Sequence, residues 1–133
     1  MRELSAVIIA LMLCACAGGG ASRTDAGTEV HLTLAELAAA NQSKVAQLSV
    51  GMSKKDVTSL MGTQTSKTRD GVVNNPWTVE TMTGKDGAQY EALYYITRKN
   101  QPFTPVRKSL ATAIVFKGGR VVAWGENALD RYK

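Results

Sequence analysis

The chain has 133 residues, a formal net charge of +5, two cysteines and one histidine. That length suits one domain with a single core, not two. Both cysteines, Cys14 and Cys16, precede the region that folds, so it has no disulfide, no Cys-x-x-Cys redox pair and no thiolate metal site to draw on, and the lone His31 has no partner by spacing for nucleophilic or metal chemistry.

Residues 4–13 form an apolar run of roughly ten residues, too short to cross a bilayer as a helix and of the right size for the core of a secretory signal. The run ends in Leu13-Cys14-Ala15-Cys16, followed by Ala17-Gly18-Gly19-Gly20. Small Ala15 before Cys16, with Leu13 three places back, resembles a lipobox, the site at which lipoprotein signal peptidase leaves a diacylated cysteine. Cys14 is the alternative anchor, but bulky Leu13 precedes it where processing requires a small side chain. An ordinary signal peptide cut elsewhere is the competing reading. The expectation is a signal peptide over residues 1–15, a lipidated Cys16 heading a tether over 16–31, and a domain over 32–133. Residues 17–29 carry too little apolar surface to offset the entropy of ordering them. Ala17, which is not Asp, is compatible with transfer to the outer membrane by resemblance to enterobacterial lipoproteins.

Thr33-Leu34-Ala35-Glu36 has the spacing of a capping box. Leu34, Leu37, Asn41, Val45 and Leu48 then recur at steps of three and four, predicting a helix to about Leu48, with Asn41 either a gap in the buried stripe or a polar contact. A second, short helix is predicted from Ser53, an N-cap whose capping box Asp56 completes three residues on. Met52 and Val57 are spaced as a hydrophobic staple, Gly62 is the stop, and Val57, Leu60 and Met61 are the buried face.

Residues 77–83 and 88–97 read as an antiparallel pair about Gly84-Lys85-Asp86-Gly87, and residues 111–117 and 120–125 as a second hairpin about Gly118-Gly119. Between them, residues 98–109 contain Pro102 and Pro105 and are predicted to form a long exposed loop. The fold class is therefore α+β, two short N-terminal helices packed on a three- to four-stranded antiparallel sheet. Alternation places Tyr90, Tyr94 and Ile96 on one face and Leu93 and Tyr95 on the other. Two short helices can cover only one of these faces, so some aromatics are expected to point outward.

The helix, the short capped helix and the strands resemble the SmpA/OmlA (BamE-like) small bacterial outer-membrane lipoproteins. Leu48, Gly51, Met52, Ser53, Val57, Leu60 and Gly62, the aromatic strand from Tyr90 to Tyr95 and Phe116-Lys117-Gly118-Gly119-Arg120-Val121-Val122 carry the resemblance. It implies an interaction module of the envelope, with a role in outer-membrane protein assembly as an implication only. The same markers occur in the β-lactamase-inhibitor-like fold, which implies the alternative of a periplasmic enzyme inhibitor.

Basic doublets at Lys54-Lys55, Arg98-Lys99 and Arg107-Lys108 suit anionic headgroups or acidic partner surfaces, or serve only solubility. No nucleic acid, cofactor or metal is expected, and the scattered carboxylates suggest no enzyme. The candidate contact residues are Arg98, Lys99, Phe103, Arg107 and Lys108: an aromatic anchor braced by prolines and surrounded by cations. The expected partners are the membrane through the N-terminal lipid, and an envelope protein or anionic lipid through this loop.

Overall fold

A computed structural model describes residues 31–133, so Cys16, the signal segment and all of the tether before His31 lie outside the described residues. The first helix, α1, spans Leu34–Val45. Its N-terminus is closed reciprocally: the Thr33 hydroxyl accepts from the Glu36 amide at 3.2 Å, and the Glu36 carboxylate accepts from the Thr33 amide at 2.8 Å. The helix stops three residues short of Leu48. There the Gln47 and Leu48 amides donate back to the Lys44 and Val45 carbonyls in a tighter turn, and Leu48 leaves the α1 stripe to pack with the second helix.

That helix, α2, spans Lys54–Met61. The Ser53 hydroxyl accepts from the Asp56 amide at 3.1 Å, and Gly62 ends the helix at φ 72°. Asp56 is one methylene shorter than the Glu of a capping box, and only the forward bond forms. Val57 and Met61 are fully buried, whereas Leu60 is half-buried.

Two antiparallel sheets follow, so the fold is α+β. A small hairpin of β1 (Ser66–Thr68) and β2 (Gly71–Val73) was not anticipated, although Asp70-Gly71 before Val72-Val73 is a turn signal in the sequence. Leu32 bridges to Ser66, and His31 Nδ1 lies 2.9 Å from the Thr65 hydroxyl. His31, which the sequence places at the end of the tether, is therefore docked beside the start of β1.

The main sheet has the order β3-β4-β5-β6, with β3 at Thr78–Thr83, β4 at Gln89–Ile96, β5 at Ala111–Lys117 and β6 at Arg120–Gly125. Gly118 and Gly119, at φ 58° and 75°, supply the two left-handed residues that a primed hairpin turn requires. A register shift at Val115/Phe116 interrupts the β5–β6 ladder.

The predicted alternation holds, but the outward aromatics do not. Tyr90, Ala92, Tyr94 and Ile96 pack with α1 through Leu34, Leu37 and Ala38, with Val73 of β2 and with Leu129. Leu93, Tyr95, Ile114, Phe116 and Val121 pack on the opposite face with Leu48 and with Val57 and Met61 of α2. The two helices thus serve opposite faces. The first face is completed by a C-terminal 3-10 turn, Ala128–Tyr132, whose Tyr132 ring stacks on Tyr90 at 4.4 Å. Sheet aromatics expected to face solvent are buried because α1 and α2 take opposite faces, with the C-terminal turn completing the cover of the first.

Candidate functional site

The connection from β4 to β5 is closed at its base, where the Thr97 and Arg98 amides both donate to the Leu110 carbonyl, and the segment Lys108–Leu110 is a short 3-10 turn. At its tip the Thr104 amide donates to the Gln101 carbonyl at 3.1 Å, which makes 101–104 a β-turn with Pro102 second and Phe103 third. The Asn100 side chain locks the turn by donating to the Thr104 carbonyl at 2.6 Å. Phe103 has φ 64°. Proline followed by a left-handed residue is the type II pattern, whose third position ordinarily holds Gly or Asn. Here it holds Phe, 94% exposed.

Phe103 lies at the rim of a cleft of about 490 Å³ between this loop and the β1–β2 turn, lined by Thr68, Arg69, Asp70, Asn100 and the 103–106 segment. The hairpin missed in the sequence therefore forms the opposite wall of the site. Its Arg69 joins the loop's cations, a placement that no local pattern discloses.

Of the cations expected to surround Phe103, two are engaged elsewhere. Arg98 reaches Glu126 at 3.3 Å. Lys108 Nζ lies 2.8 Å from both carboxylate oxygens of Glu80 and 4.8 Å from the centroid of the Tyr94 ring, while the Tyr94 hydroxyl donates to Glu80 at 2.6 Å. The Lys108 ammonium, then the Tyr94 hydroxyl, hold the Glu80 carboxyl below its ordinary range, and Glu80 in turn raises Lys108. The same device recurs at Asp86, whose Oδ2 accepts from Tyr90 at 2.7 Å and from Lys117 at 3.2 Å. Both assemblies are structural pins on the sheet face that carries Tyr90 and Tyr94.

Among the described residues, the side chains of Lys99 and Arg107 have no ion-pair or hydrogen-bond partner, and both residues line a second recess of about 360 Å³ beside the same turn. The candidate surface thus reduces to an exposed aromatic with Arg69 in its cleft and Lys99 and Arg107 in the adjoining recess, and among the described residues Asp70 is the carboxylate that lines the cleft. Among the described residues, no three His, Cys, Asp or Glu side chains gather as a metal site, and no helix is long and apolar enough to cross a membrane.

The profile of a family described as protein of unknown function, DUF3192, matches residues 24–131 of this chain. Comparison with curated proteins and with solved structures gave no match.

Proposed function

The chain belongs to the DUF3192 family, and we propose that it is a non-enzymatic lipoprotein of the bacterial envelope, an interaction module of the SmpA/OmlA-like kind. In this reading Cys16 carries the lipid, the residues between it and the docked His31 are the tether on the periplasmic face of the outer membrane, and the domain presents its Pro-braced loop to an envelope protein or an anionic lipid surface. The observation that supports it most is Phe103. A left-handed φ costs a non-glycine residue roughly 1–2 kcal/mol, and a side chain left 94% exposed recovers almost nothing by burial. The residue contributes nothing to the fold that glycine would not, so its use is to be sought outside the fold.

The test is site-specific photocrosslinking in intact cells, with a benzoyl-phenylalanine at position 103 and, as control, at Val50, an exposed apolar residue distant in sequence from the loop. Position 103 is expected to give a discrete adduct, which Lys99→Ala with Arg107→Ala weakens and which Val50 does not form. An adduct with a periplasmic hydrolase would redirect the reading to enzyme inhibition. No adduct, together with a Phe103→Ala chain that complements a deletion strain fully, would discard the loop as a contact surface. Cys16→Ser should release the protein from membranes; if Cys14→Ser does so instead, the processing site is misplaced.

A further inference from the structure

The two edges of the main sheet are treated differently. Along β6, the segment before α2 lies against the outer edge: the Gly51 amide donates to the Val121 carbonyl at 2.8 Å, the Val121 amide to the Met52 carbonyl at 2.9 Å, and Ser53 bridges to Arg120. No such cover lies along β3 among the described residues. The Gly84 amide donates to the Ala88 carbonyl, one step beyond the Thr83–Gln89 pair, so even-numbered residues exchange bonds with β4 and odd-numbered ones turn theirs outward. Val79, Thr81 and Thr83 therefore offer backbone groups to solvent, and their side chains are exposed on the same side. The usual guards of an open edge are missing: the strand contains no proline, no lysine and no bulge. Its one inward charge, Glu80, is already neutralised by Lys108.

We infer that the β3 edge is a self-association surface, at which a second copy of this chain adds its own β3 antiparallel about a two-fold axis through Thr81. The register follows from the outward groups. Thr81 faces Thr81 of the other copy, Val79 faces Thr83, and Glu80 faces Met82, so no like charges oppose each other and the exposed side is built of β-branched residues that favour cross-strand packing. The ladder is bounded at both ends, because Trp77 gives its amide to Tyr94 and Lys85 gives its amide to Tyr132. It comprises about six backbone hydrogen bonds. Charges beside the edge are paired within each copy, Glu80 with Lys108 and Asp130 with Lys133, so the overall positive charge is not focused there. The two-fold axis stands perpendicular to the sheet, which keeps α2 on the same side in both copies and brings the two Val79 stripes together between them. The inference is independent of the loop and of the lipid anchor.

The test uses the full chain with Cys14→Ser and Cys16→Ser, to which Thr81→Cys or Val79→Cys is added. Paired residues at the axis stand about 5.5 Å apart at Cα, within disulfide reach, whereas the two copies of position 79 are separated by about 14 Å along the strands. Thr81→Cys should therefore form an interchain disulfide about tenfold faster than Val79→Cys; equal rates overturn the register and the proposal with it. In the cysteine-free chain, sedimentation should show a dimer that Thr81→Pro abolishes, since that substitution removes an outward amide and no bond to β4. A dimer that persists, or a parent that remains monomeric, overturns it. If Thr81→Pro fails to fold, Val79→Lys is the substitute, with the same two outcomes. Amide exchange at Val79, Thr81 and Thr83 should slow as concentration rises; slow exchange at every concentration would mean that another segment of the same chain covers the edge, and would also overturn the proposal.

Discussion

Asn41 of α1 and Asn75, which precedes β3, hydrogen-bond each other reciprocally, amide to amide, at 2.8 and 3.0 Å in the buried space between the helices and the sheet. The remaining Asn41 proton goes to the Ile96 carbonyl at 2.8 Å, and Asn75 donates to the Met61 carbonyl at 3.0 Å. One pair of side chains thus ties α1 to the end of β4 and closes the C-terminus of α2, whose last carbonyls have no partner within the helix. Lys44 adds a second donor to Met61 at 3.1 Å.

Because each amide leaves the other unsatisfied when removed, Asn41→Ala and Asn75→Ala should each destabilise the fold by about 2–3 kcal/mol. The double variant should cost clearly less than the sum, with a coupling of about 1 kcal/mol or more in a urea-denaturation cycle. Additive losses would show that the two amides act separately.

Tyr95 is fully buried, its hydroxyl has no hydrogen-bond partner among the described residues, and burial pushes its pKa up to about 12. Tyr95→Phe removes that oxygen and keeps the ring. A gain of about 1 kcal/mol is expected, read as a rise in Tm of several degrees. A loss would mean that the hydroxyl has a partner.

Ser53 accepts the Asp56 amide at the start of a helix of only eight residues, so Ser53→Ala should cost about 1 kcal/mol, while Ser53→Thr should cost little. The measurement is a thermal melt, with photocrosslinking from position 103 as the companion readout. A full-strength melt with the adduct lost would make Ser53 a contact residue and not a cap.

The Asp86 carboxyl is held at about 2, first by the Tyr90 hydroxyl and then by the Ala88 amide and Lys117. A carboxyl depressed in the folded state stabilises above its unfolded value, near 3.8, and that contribution disappears as the pH falls through about 2. Urea midpoints of the parent should therefore fall more steeply between pH 4 and pH 2 than those of Asp86→Asn. Parallel slopes would remove Asp86 from the acid limb.

Phe103→Gly separates fold from function. It relieves roughly 1–2 kcal/mol of left-handed strain and returns roughly 0.5–1 kcal/mol in chain entropy, so the variant should be as stable as the parent or more stable by about 0.5 kcal/mol. It should nevertheless fail to complement a deletion strain. Lower stability would mean that the ring packs in the folded state.

The sequence by itself determined what depends on near neighbours: the Thr33 and Ser53 caps, the glycine that ends α2, the Gly118-Gly119 turn, the two faces of β4 and the proline loop. Each of these is a pattern within a few residues, where sterics and backbone bonding act without reference to the rest of the chain. Only the tertiary structure decided which loop cations remain unpaired, since Arg98 meets Glu126 and Lys108 meets Glu80 across 28 positions in each case. It also decided that Asn41 is a buried tie and not a gap, because its partner carbonyl on Ile96 lies 55 positions away. The same holds for the covering of both faces of the sheet, α1 and a C-terminal turn on one and α2 on the other, and for the wall opposite Phe103, supplied by the β1–β2 hairpin. Charge pairing, burial and cleft formation depend on which distant segments meet, and in this chain those meetings are fixed by the packing of both faces of one sheet.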